Sequence, residues 1–284
     1  MNEERYQIDD RVAVILHKDG VAEVRLDRAD KMNALDSAMF SAILKAGEQL
    51  MSRPSLRAVV LSGEGRAFCA GLDMGSFQKM GAGQGGSTSA PGAASLADRT
   101  YGIANAAQHT ALVWRELPVP VIAALHGVAF GGGLQIALGA DVRLIARDTK
   151  LSVMELKWGL VPDMGGMVTL AGLVRDDLAR ELVYSGRVML AEEAVQLGLA
   201  TRIVADPLAE AMAMARDITG KSPDAIRAAK RLLNLARTAD IASVLMAESI
   251  EQQRLIGSPN QVEAVRANLE RRTPTFSDPE DAGS

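Results

Sequence analysis

Residues 121–138 read VIAALHGVAFGGGLQIAL, and the rest of the chain is best read outward from them. Val121 to Leu125 is an apolar run of a length that suits a buried strand. His126-Gly127 interrupts it, and Gly131-Gly132-Gly133 follows at once. Leu134-Gln135-Ile136-Ala137-Leu138 is then good helix-forming sequence. The reading is strand, glycine turn, helix start. A glycine turn lets another group approach the backbone without meeting a Cβ. The first N–H groups of a helix have no partner inside it, so they can donate to an anion or to an oxygen gaining negative charge. Tight packing of a helix on a sheet would use the same glycines, so a second matching site has to decide between the two.

Composition narrows the field. The 284 residues suit one large domain or a core with a smaller appendage, and an apolar share of 48% is ample for a core. A net charge of -4 gives no electrostatic case for nucleic acid or an anionic membrane surface. Cys69 is the single cysteine, so no intramolecular disulfide is possible. Met1 to Asp10 is polar and acidic, unlike a signal peptide. No apolar run reaches the roughly 20 residues of a membrane span. The expectation is a soluble, cytoplasmic protein.

Upstream of the glycine turn, 12–16 and 21–26 alternate around Asp19-Gly20 as a hairpin would. A charged loop from Asp27 to Asn33 leads to a helix with Leu35, Met39, Ile43 and Leu50 on one stripe. Residues 57–61 predict a buried strand. Ala67-Phe68-Cys69-Ala70-Gly71-Leu72-Asp73 is the second informative stretch, because Gly71 directly precedes the backbone N–H of Leu72. Residues 81–94, rich in Gly, Ser and Ala, read as a loop, and 99–114 as a helix. Downstream, 141–146 and 151–153 read as strands. Pro162 marks a helix start that would put Asp163 in its first turn. From Arg175 on the chain reads as helical, in segments 176–184, 191–198, 207–218, 223–236, 241–256 and 261–271. Early strand–helix alternation predicts an α/β layered core.

Together these stretches resemble the crotonase, or enoyl-CoA hydratase/isomerase, superfamily. Arg28 to Leu35 is similar to the family's early loop-to-helix segment, and Ala67 to Asp73 to its first oxyanion-hole segment. His126-Gly127 through Gly133 is similar to the second, and Glu155 through Gly166 to the acid-bearing segment. Ala191-Glu192-Glu193-Ala194 with Gly198-Leu199 is another family phrase. The resemblance implies a ββα spiral core over 1–205, a helical trimerisation region over 206–284, and homotrimers or hexamers. It implies an acyl-CoA thioester as substrate, with no cofactor beyond the CoA that the substrate carries. By position, the N–H groups of Leu72 and Gly132 would polarise the thioester carbonyl. Each such donor is worth about 3 kcal/mol when aimed at a developing oxyanion. The resemblance also puts Lys31, Met32, Ala70 and Asp73 at the CoA.

The acids carry the one departure from the pattern. In family hydratases two glutamates handle a water. The first position is Gln135 here, which can neither ionise nor take a proton. The second is Glu155, which is present, and Asp163 follows eight residues on, which is similar to the dienoyl-CoA isomerase branch and some other family isomerases. The dienoyl-CoA isomerases keep a third acid where Gln135 stands, and this chain loses it. Two carboxyls in a poorly solvated pocket need not both ionise, so one can serve as acid. The expected catalytic set is therefore Glu155, Asp163 and Gln135. Double-bond isomerisation is preferred, with hydration of a 2-enoyl-CoA or a non-catalytic acyl-CoA binder as the alternatives. Trp158 reads as a pocket wall. His17, His109 and His126 lack metal-ligand spacing, so no metal is expected. Lys79, Arg271 and Arg272 are lone cations that could reach CoA phosphates. The glycine triplet lacks the Lys-Ser/Thr of a phosphate loop.

Overall fold

The turn at Asp19-Gly20 folds the chain back as a hairpin in the computed structural model, which describes residues 3–83 and 95–279. Gly20 takes φ +83, and β2 (Val12–Leu16) and β3 (Val21–Leu26) pair antiparallel across it. An unforeseen strand, β1 (Glu4–Ile8), pairs with the outer edge of β2. Its polar sequence hid it, because Ile8 alone is buried. Asp36 caps α1 (Ser37–Met51), accepting from the Met39 N–H. The chain then runs through β4 (Ala58–Gly63) and α2 (Met74–Gly81) to α3 (Ala106–Glu116). The helix expected over 99–114 starts only at Ala106. Asn105 and Gln108 form a reciprocal capping box there, and Tyr101 and Ala104 bridge in the turn before it. Of the loop expected over 81–94, residues 84–94 lie outside the described residues.

The organising stretch gives β5 (Val121–Leu125), β6 (Val128–Phe130) and α4 (Gly132–Gly139). The strand–turn–helix reading missed β6. His126-Gly127 does not simply end a strand. Gly127, at φ +62, sends the chain into a second sheet. Next come β7 (Val142–Ala146), β8 (Lys150–Ser152) and a 3-10 helix at Glu155–Trp158. After it, α5 (Gly166–Ala171) begins later than Pro162, because Gly165 at φ +78 forms its N-cap. Asp163 consequently lies in the turn before that helix. The last third is not wholly helical. After α6 (Asp176–Ser185) it holds β9 (Met189–Leu190), α7 (Ala191–Gln196) and β10 (Arg202–Val204). It ends in α8 (Pro207–Thr219), α9 (Pro223–Leu235), α10 (Ile241–Leu255) and α11 (Pro259–Glu270).

The main sheet runs β1-β2-β3-β4-β5-β7-β10, antiparallel among the first three strands and parallel from β3 onward. A small sheet, β6-β8-β9, stands beside it. Burial of both faces explains the continuous apolar runs of β4 and β5. Val59, Leu61, Ala123 and Leu125 join the core that includes residues of α1, α3 and α4. Ala58, Val60, Ile122 and Ala124 face Ala211, Met212 and Ala215 of α8. Among the described residues no helix is long and apolar enough to cross a membrane.

Candidate active site

Two backbone tracks meet where the large and small sheets adjoin. Cys69 N–H donates to the Val128 carbonyl at 3.0 Å, and Phe130 N–H donates to the Cys69 carbonyl at 3.0 Å. The approach needs glycine at 71, which takes φ +87. A Cβ there would lie 2.7 Å from the Phe130 carbonyl oxygen. One residue on, Leu35 N–H donates to Gly71 O at 2.8 Å and Asp73 N–H to Leu35 O at 3.0 Å. Those two bonds turn the intervening Leu72 N–H away from Leu35. On the other track, Gly131 at φ +50 donates its N–H to Ser152 O at 2.9 Å. Gly132 then opens α4 with an N–H that precedes the helical ladder. Among the described residues, neither the Leu72 N–H nor the Gly132 N–H donates to a protein acceptor.

Both residues line a cavity of about 550 Å³, and so do Gln135, Glu155 and Asp163. Gln135, 2% exposed, sits one turn into α4. Its Oε1 accepts from Met164 N–H at 2.8 Å and Gly166 N–H at 3.0 Å, and its Nε2 donates to Glu155 Oε1 at 2.6 Å. The two backbone donors fix which end of the amide is oxygen. Glu155 opens the 3-10 helix. Its Oε2 is buried with no hydrogen-bond partner among the described residues. Burial raises the Glu155 carboxyl above the usual carboxylate range. Hydrogen bonds from its own backbone and from Gln135 pull the other way, and the Asp163 charge adds to the rise. Asp163 is exposed to solvent, yet enough protein surrounds it for burial to raise its carboxyl too.

Apolar side chains make most of the remaining wall. Phe77 of α2 and Trp158 stack with centroids 4.2 Å apart and planes 22° apart. Trp158 was expected as a wall. Phe77, Phe40 and Met164 were not singled out, because on their own helices and turns they read as ordinary core residues. Arg28 was missed as well. It holds Asp73 at 2.6 Å and approaches Asp36 at 3.5 Å, so one guanidinium joins the N-caps of α1 and α2 beside the cavity.

The enoyl-CoA hydratase/isomerase family model matches residues 17–279. The chain belongs to the enoyl-CoA hydratase/isomerase family. It is 30% identical over 256 residues to mouse mitochondrial Delta(3,5)-Delta(2,4)-dienoyl-CoA isomerase, covering 89% of this chain and 77% of that one. It is also 30% identical over 264 residues to mouse mitochondrial methylglutaconyl-CoA hydratase, covering 90% and 79% respectively. Among solved structures, enoyl-CoA hydratase from Mycobacterium tuberculosis H37Rv aligns with a TM-score of 0.81 at 28% identity, over 95% of this chain and all of that one (100%). The fold is that of the crotonases, mixed α/β with a parallel-rich sheet.

Relatives in this family carry both hydratase and isomerase names. Ala70 lines the cavity, and its N–H donates to the Met32 carbonyl at 2.9 Å. That bond holds Lys31 and Met32, on an exposed 3-10 turn, at the cavity's edge. Asp73 caps α2 through Gly75 N–H. Burial pushes its carboxyl up, but the Gly75 N–H and Arg28 outweigh that and keep it low. Arg272 is tied to Glu263 and Glu270, each at 2.6 Å, at the far end of α11.

Proposed function

We propose that this family member shifts a carbon–carbon double bond in an acyl-CoA thioester by proton transfer. The Leu72 and Gly132 N–H groups would hold the thioester oxygen. Glu155 Oε2 would remove a proton from the carbon next to the carbonyl. The C–H electrons then form a dienolate whose negative charge rests on the held oxygen. Return of a proton to the far end of the conjugated system, from Glu155 or Asp163, completes the shift with no change of formula. Lys31, Met32, Ala70 and Asp73 would meet the CoA portion.

The observation that carries this reading is the state of Gln135. Water addition asks for a second group that holds water and exchanges a proton. Both lone pairs of the Gln135 oxygen are taken by backbone N–H groups, and its nitrogen is turned to Glu155. It offers a water neither an acceptor nor a proton carrier. Glu155, by contrast, lines the cavity and keeps one oxygen without a hydrogen-bond partner among the described residues.

The cavity also supports an uncharged acyl group. Its described charged lining residues are Glu155 and Asp163, both acids. Among the described lining residues, a dicarboxylic acyl chain would meet like charge and no cation.

A panel of 2-enoyl-, 3-enoyl- and 3,5-dienoyl-CoA esters, followed by ultraviolet absorbance, tests the reading. Gain of conjugation from 3-enoyl esters, or its migration in dienoyl esters, is expected, with glutaconyl-CoA a poor ligand. Loss of 2-enoyl absorbance through water addition, without migration, would establish a hydratase instead. Thermal stabilisation by CoA esters without any turnover would indicate a binder.

A further inference from the structure

Gln135, Glu155 and the turn carrying Asp163 come from three separate segments, and one buried amide joins them. Its oxygen receives the Met164 and Gly166 N–H groups, and its nitrogen holds Glu155 Oε1 at 2.6 Å. Two glycines make room for this arrangement. A Cβ at Gly166 would lie 2.5 Å from Gln135 Oε1, and a Cβ at Gly131 would lie 3.2 Å from Glu155 Oε1. The amide is therefore engaged at both ends, and Glu155 keeps Oε2 without a partner among the described residues.

We infer that Gln135 is a positioning residue: its amide reserves Glu155 Oε2 for the substrate and locks the Glu155 turn to the Asp163 turn. This rests on the isomerase reading, in which Glu155 moves the proton. A bonded Oε1 holds the carboxylate in one rotamer and leaves Oε2 without a partner among the described residues. A neutral donor also favours the charged form of Glu155, opposing the burial that disfavours it. Asp163 is the other titratable group among the described cavity-lining residues, and its charge acts on Glu155 in the opposite sense. A carboxyl at position 135 would keep the acceptor for the two backbone N–H groups but would turn an oxygen toward Glu155 Oε1. At 2.6 Å two such oxygens must share a proton.

Gln135→Glu isolates the donor, because it preserves the acceptor end. Its kcat should fall by about tenfold at neutral pH with KM little changed, and the acidic limb of its pH–rate profile should move up by roughly one pH unit. Gly166→Ala displaces the amide without touching an ionisable group. It should lower kcat in the same way, and a loss confined to stability would count against the inference. A carboxyl 13C titration of Glu-labelled protein, with the Glu155 signal assigned through Glu155→Gln, reads the effect with no substrate present. Titration of Glu155 at higher pH in Gln135→Glu is the expected result. An unchanged Glu155 titration would overturn the inference even if isomerisation is observed. A shifted titration in a protein that isomerises nothing would uphold the positioning role and sink the isomerase reading alone.

Discussion

Glu155 has two oxygens in two environments, one bonded to Gln135 and one bare, and that asymmetry is what a proton-moving carboxylate requires. Replacing it with Gln keeps the shape and removes the basicity. Turnover in Glu155→Gln should fall by about a hundredfold or more while acyl-CoA binding is retained. Steady-state kinetics beside a binding isotherm check this, and comparable turnover would remove Glu155 from the mechanism. Asp163→Asn should slow the reaction if the two acids share the proton and leave it nearly unchanged if Glu155 acts alone. The raised Glu155 carboxyl also carries a stability consequence. Its folded form holds the proton more tightly than the unfolded chain does. Its contribution is therefore present at low pH and is lost as pH rises through the raised folded value. In thermal melts from pH 4 to pH 8, the difference in Tm should move in favour of Glu155→Gln as pH increases.

At the scale of elements, the site depends on the track at Gly71 lying against the track at Phe130. Gly71→Ala puts a methyl 2.7 Å from a backbone oxygen at a residue with φ +87, and neither cost is relieved by a rotamer change. A loss of about 2–3 kcal/mol is expected, seen as a drop of several degrees in Tm, together with a larger loss of activity than of acyl-CoA binding. This part of the site was legible in the sequence, because Gly71-Leu72 and Gly131-Gly132 announce a close approach of backbone. Buried strands such as β4 and β5 were legible too, from their unbroken apolar runs. The short strands β6, β9 and β10 were not, since periodicity has little to work on in two or three residues; the equally short β8 was read one residue late, at 151–153. The polar edge strand β1 was hidden for want of a second buried residue. Nor could the sequence reveal the contact of Gln135 with Glu155, or of Phe77 with Trp158. Residues far apart in the chain are brought together there by packing, and each looks unexceptional on its own element.

For the molecule as a whole, α8 and α9 are docked, whereas α10 and the outer face of α11 are left in solvent in the single chain. Through Ala211, Met212 and Ala215, α8 is part of the core, and Lys230 of α9 is buried against Trp114 O, Val119 O and Asp141 Oδ2 at 3.1, 2.8 and 2.8 Å. By contrast α10 buries none of its residues, although Ile241, Leu245, Met246 and Ile250 lie along it. Val262, Val265 and Leu269 of α11 are exposed as well. Apolar surface of this extent on two adjacent elements is unfavourable in water, and a second copy of the chain would cover it. If the chain forms the trimer or hexamer that the family resemblance implies, and does so through this region, light scattering should give about three or six times 30.1 kDa. Leu245→Glu with Ile250→Glu adds charge to a face that makes no core contact within the chain. Those changes should lower the mass toward that of one chain while leaving the helical signal intact. A wild-type mass of 30.1 kDa at micromolar concentration would show that the face serves something other than self-association.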